Sequence, residues 1–131
     1  MNTFEVKREN WQRVCHYISE NLKGALVTIE VVRPDGSADE LASDIPLWSL
    51  SLDEQHDPCS DELTLEAGLP NEKPVRHLMI EPIHIVFKAL EEDRYHRMEV
   101  HAENGTTAVN FHPGLDAAWL EEMNRKAETR S

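Results

Sequence analysis

The sequence predicts an α+β domain built on a strongly curved antiparallel sheet, or partly open β-barrel, of about six to eight strands, with an amphipathic helix at each end. Three observations predict it. Apolar residues recur at helical spacing near both termini, they alternate with polar residues in between, and Gly, Pro, Asn and Asp punctuate the alternating segments. The helices are expected at 9–23 and 115–129 and the sheet at 25–112. The chain of 131 residues reads as one domain, long enough to bury a core without a metal or disulfide staple.

In the first helix Trp11, Val14, Cys15, Ile18 and Leu22 share one face, and Gly24 follows where a C-terminal cap is needed. The run Ala25-Leu26-Val27-Thr28-Ile29-Glu30-Val31-Val32 is a β-branched strand ended by the turn Pro34-Asp35-Gly36. Leu41 and Ala42 read as a short return strand, Asp44-Ile45-Pro46 as a break, and Leu47, Trp48, Leu50 and Leu52 as a new strand with Pro46 at its start. A polar loop is expected from Asp53 to Ser60. Glu62-Leu63-Thr64-Leu65-Glu66-Ala67 alternates, so it has one wet and one dry face.

After the loop Gly68 to Pro74, Val75 to Ile80 forms a strand, and Pro82 interrupts. Ile83, Ile85 and Phe87 then alternate with His84, Val86 and Lys88. Leu90 to Asp93 makes an acidic turn. Asn104-Gly105 predicts a type I′ hairpin with Glu103 opposite Thr106, so that Val100 faces Val109 and Met98 faces Phe111, apolar on apolar. Pro113-Gly114 is expected to end the sheet. Beyond it Leu115, Ala118, Trp119, Leu120, Met123 and Ala127 outline the second helix, with Glu121/Arg125 and Glu122/Lys126 as i,i+4 pairs.

Charge narrows the function classes. Against 25 Asp and Glu stand 13 Lys and Arg, a net −12 spread along the chain. Such a surface repels phosphate backbones and anionic lipid, which argues against nucleic-acid and membrane partners. Cys15 lies on the helical stripe and Cys59 in a polar loop, so they form no disulfide framework. The N-terminus lacks the apolar run of a signal peptide and no stretch is long and apolar enough to span a bilayer, so a cytoplasmic location is expected. The serines lie in no GxSxG elbow, and the five glycines are singly spaced turn residues that make no phosphate cradle.

Five of the seven histidines, His77, His84, His96, His101 and His112, fall in the closing strands. If Leu90 faces Tyr95 across a four-residue loop, His84 lies opposite His101, with Glu99 and Asn110 on the same face. Two imidazoles and a carboxylate so placed are ligands that zinc or another transition metal accepts, and His84, His101 and Glu99 are the candidate metal residues. The competing reading is an ordinary solvated sheet face, because no HxH or HExxH spacing accompanies them. No other cofactor is expected. Trp11, Trp48 and Trp119 read first as core or docking aromatics. Trp48 alternates out of phase with Leu47, and it is a candidate interface residue on an outer face, together with Trp119.

Trp11 in the leading helix, Gly24-Ala25-Leu26-Val27-Thr28-Ile29-Glu30-Val31, Ser43-Asp44-Ile45-Pro46-Leu47, His77 before Ile80 and Pro82, and Met98-Glu99-Val100 with Gly105-Thr106-Thr107 together resemble a family of small acidic bacterial proteins of unknown function. The likeness covers roughly residues 6–112, with the helix after Gly114 as an extension. It implies a bacterial cytoplasmic domain and supplies no activity and no catalytic residue. The expected function is therefore a non-enzymatic binding or interaction module, open to a protein partner, self-association or a small ligand. The rival is a metal-dependent enzyme using His84, His101 and Glu99.

Overall fold

A computed structural model describes residues 2–53, 61–89 and 94–116. Its strands are β1 (Asn2–Glu5), β2 (Leu26–Val32), β3 (Ala38–Asp53), β4 (Glu62–Ala67), β5 (Val75–Ile80), β6 (His84–Ala89), β7 (Arg94–Ala102) and β8 (Gly105–Asp116). A 3-10 turn at Arg8–Asn10 leads into α1 (Trp11–Asn21). All pairings are antiparallel, and the sheet runs in the order β1-β6-β7-β8-β2-β3-β4-β5.

This corrects the expected α+β class. The molecule is one eight-stranded antiparallel sheet that does not close into a barrel, with a single short helix among the described residues. The two end strands β1 and β5 do not pair with each other. The sheet also continues through Pro113 and Gly114, so Leu115 and Asp116, expected to open a second helix, are strand residues opposite Tyr95 and Arg94. The reason is a bulge. Between two consecutive pairs β8 advances from Asn110 to Leu115 while β7 moves only from Arg97 to Tyr95, and the proline that cannot donate to a ladder falls within that irregularity. The rest of the expected helix, the loop 54–60 with Cys59, and the turn 90–93 lie outside the described residues.

Two more expectations change. Asp44-Ile45-Pro46 does not break a strand but bends one. Asp44 takes a φ of 51°, the register with β2 slips there, and β3 passes from β2, its partner up to Pro46, to β4, its partner from Leu47 onward. Beyond Pro46 the side of β3 that β2 leaves is covered by α1. Ser19 Oγ donates to Leu50 O at 2.8 Å and accepts Leu50 N–H at 2.9 Å, and Gln12 Nε2 donates to Leu52 O at 3.0 Å. Side chains thus satisfy a strand edge that would otherwise invite pairing.

The last hairpin turns at Glu103-Asn104, with Ala102 opposite Gly105, so Val100 pairs with Thr107 and Met98 with Val109. The expected register is off by two residues, which preserves the faces: Met98, Val100, Val109 and Phe111 are all buried. Gly105 carries the positive φ, 126°, and a Cβ there would come within 2.4 Å of Val32 O. Asn104 is occupied elsewhere. Its Nδ2 donates to Leu78 O (3.0 Å), its Oδ1 accepts Ile80 N–H (3.2 Å), and Glu103 N–H donates to Ile80 O (2.8 Å). The hairpin tip therefore acts as a clasp on the edge of β5.

The core lies inside this bent sheet. The α1 stripe of Trp11, Val14, Cys15 and Ile18 packs with Leu47, Leu50, Leu63, Leu65, Met79, Phe87, Met98 and Phe111 in one cluster. Burial pushes the Cys15 thiol up to about 12, as expected of a small buried hydrophobe. Strand β1 was not legible as a strand. It pairs with β6 from Asn2/Ala89 to Glu5/Val86 and carries the chain to the corner where the candidate site lies.

Candidate functional site at the β1–β6 corner

Strand β6 buries Ile85, Phe87 and Ala89, so His84, Val86 and Lys88 face outward. Its ladder with β7 has His84 opposite His101, Val86 opposite Glu99 and Lys88 opposite Arg97. The register supposed from the sequence is the one observed. The two imidazoles meet edge to face with ring centroids 6.2 Å apart.

Glu99 is held through Oε2 by two cations that face each other across the ladder, Lys88 Nζ at 3.2 Å and Arg97 Nε at 2.9 Å. Burial pushes its carboxyl up, but the hydrogen bonds from Arg97 and Lys88 and their charges outweigh this and leave it below the ordinary glutamate value. His101 lies 3.8 Å from Glu99 through Nε2 and shares a 3.2 Å hydrogen bond between Nδ1 and Thr106 Oγ1. His84 pairs instead with Glu5 of β1, Nδ1 to Oε2 at 2.7 Å. Among the described residues no three His, Cys, Asp or Glu side chains form a ready ligand group. A metal at His84 and His101 would have to draw Glu99 from its cations or Glu5 from His84.

The other histidines disperse. His77 points inward from β5 and bonds Thr107 Oγ1 at 2.8 Å, and burial lowers its pKa. His96 sits across from the β8 bulge, and His112 is exposed opposite Leu26. Trp48 is half-buried at the β3 bend, its Nε1 donating to Gly68 O at 2.9 Å, so it covers the end of β4. Trp119 lies outside the described residues.

Beside His84 the corner opens into a cleft of about 300 Å³ lined by Glu5, Val6, Lys7, Arg8, Trp11, Ile83 and His84. Val6 and Trp11 are buried beneath it, and the Trp11 indole donates to Val6 O at 3.1 Å. The Arg8 guanidinium lies over the Trp11 ring, 4.8 Å from its centroid, and its Nη2 is paired with the buried carboxylate of Asp61. Ile83, expected to alternate inward with Ile85, is instead 61% exposed at the rim. Sequence reasoning missed this cleft because it missed β1. The signals were the alternation of Phe4 with Val6 and the i,i+3 spacing of Arg8 and Trp11.

A model for a family of unknown function (DUF5335) matches residues 2–118. The chain belongs to this family. The DUF5335 match contains every described strand and the cleft, and it reaches past Gly114, where the common core had been expected to stop. No curated protein and no solved structure matches this DUF5335 chain. No helix among its described residues is long and apolar enough to cross a membrane.

Proposed function

We propose that the protein is a non-enzymatic binding module and that the β1–β6 cleft is where it binds. The observation that carries this reading is the cleft itself: an apolar floor of Val6 and Trp11, an exposed Ile83 at the rim, and polar groups around it. That is the make-up of a small-ligand site. The neighbouring ionisable groups are engaged with one another, Arg8 with Asp61, His84 with Glu5, and Glu99 with Lys88 and Arg97. Such pairing suits orientation of a ligand better than proton transfer to one. Saturation-transfer NMR of the full chain against a mixed fragment library tests it. The unaltered protein is expected to bind fragments that Ile83→Glu does not, and an identical set of hits in both would place binding elsewhere.

One observation favours a second reading, a metal-dependent enzyme: His84 and His101 are cross-strand partners with Glu99 on the same face. For that reading, protein purified without a histidine tag must carry stoichiometric zinc, iron or copper and lose it in the His84→Ala/His101→Ala variant. Metal at trace level in the unaltered protein rejects it.

A further inference from the structure

We infer that the β1–β6 cleft takes small amphipathic carboxylates, the acid group on Arg8 and the apolar body over Val6, Trp11 and Ile83; this rests on the cleft being the binding site. Asp61 is 2% exposed, and a carboxylate so buried requires a charged or hydrogen-bonded partner. Arg8 supplies it. The same guanidinium stacks on Trp11, so it is fixed at two points while its side chain stays 48% exposed. A guanidinium has five N–H donors in a rigid fork, more than Asp61 Oδ2 uses, and a donor already immobilised loses little entropy on meeting a ligand. Lys7 and His84 lie on the same lining. Glu5, the one acidic residue of that lining among the described residues, is paired with His84 at 2.7 Å.

The apolar half is equally built. Ile83 is the most exposed large hydrophobic among the described residues, yet its backbone is fixed, its N–H donating to His101 O at 2.7 Å. Two residues earlier Glu81 adopts a φ of 50°, a left-handed conformation that strains a non-glycine residue. The chain thus turns sharply, through Pro82, to present an isoleucine to water beside a concavity floored by Val6 and Trp11. A volume of about 300 Å³ fits a single ring or branched chain with one acid group. Ligand sign can be read cleanly here, because on a chain of net charge −12 a cation finds many shallow sites and an anion few.

The test titrates the isotope-labelled full chain with phenylpropionate, neutral phenylpropanamide and cationic phenylpropylamine, following amide and indole resonances. The acid is expected to shift Val6, Arg8, Ile83 and the Trp11 indole, saturating in the millimolar range, with the amide weaker by about tenfold or more. Arg8→Gln should abolish the acid's preference. Arg8→Lys keeps a charge beside Asp61 but lacks the fork, so it should weaken the acid while the spectrum stays folded. Equal binding of acid and amide, or tighter binding of the amine, overturns the carboxylate assignment and leaves the cleft as a site. If none of the three moves the cleft resonances, both readings fail.

Discussion

Strand β7 meets different conditions on its two sides. Against β6 the ladder is regular from Lys88/Arg97 to His84/His101. Against β8 it is interrupted at His96 and ends in a turn whose tip is bonded to β5. On the first side, alternation of Ile85 and Phe87 with His84 and Lys88 sets the faces, and one supposed loop length gives the pairing observed. On the second, a third strand competes for the turn residues, and the hairpin gives up the I′ geometry that Asn-Gly favours. A register that local pattern proposes is shifted where a third strand bonds the turn residues, as β5 does at Glu103 and Asn104.

The largest expected effect tests the side where packing rules. Phe87→Ala empties a fully buried site opposite Met98 and should cost about 3–5 kcal/mol in urea denaturation. A loss under about 1 kcal/mol would mean that side chains do not fix this ladder. Gly105→Ala tests the other side. Positive φ and the approach of Val32 O together should cost about 2 kcal/mol or more, and a neutral result would show that the hairpin tip shifts freely.

Asn104→Ala sharpens the comparison further. It removes both side-chain bonds of the clasp and should cost about 1–2 kcal/mol, with hydrogen exchange of the Ile80 amide accelerated before that of Val100. Were the clasp incidental, Ile80 exchange would not change. Smallest is a pH effect. Because burial lowers the His77 pKa from 6.5, the unfolded chain takes up a proton first, so this contribution is full above that value and lost as pH falls below it. His77→Asn should flatten the stability profile on that acid side. Glu99 adds in the same direction at lower pH: its carboxyl lies below 4.5 in the fold, so its contribution is present above that value and fades as pH falls through the folded one. Removing Glu99 should cost little at neutral pH, because its partners Lys88 and Arg97 are 37% and 35% exposed and stay solvated without it.

The candidate site was legible in parts. His84 opposite His101, with Glu99 on the same outward face, follows from alternation, which could be read along the chain, together with one supposed loop length. The cleft could not. Glu5, Arg8 and Asp61 are brought to one corner by β1 docking on β6, a contact between residues that are distant in sequence. Ile83 continues an apolar alternation that the backbone abandons at Glu81 and Pro82, so periodicity alone places it on the wrong side.

What the sequence determined by itself is the inside: period-two and helical spacing select which residues shed water, and hydrophobic burial depends on area and not on partner identity. Thus Val14, Ile18, Leu63, Leu65, Met98 and Phe111 were fixed as core before any pairing was known. The tertiary structure alone decided how edges are satisfied. Ser19 and Gln12 close the side of β3 that β2 leaves, Asn104 clasps β5, and β8 bulges at Pro113 in place of ending there. Those outcomes turn on backbone hydrogen-bond groups, which every residue carries alike and which no pattern of side chains announces.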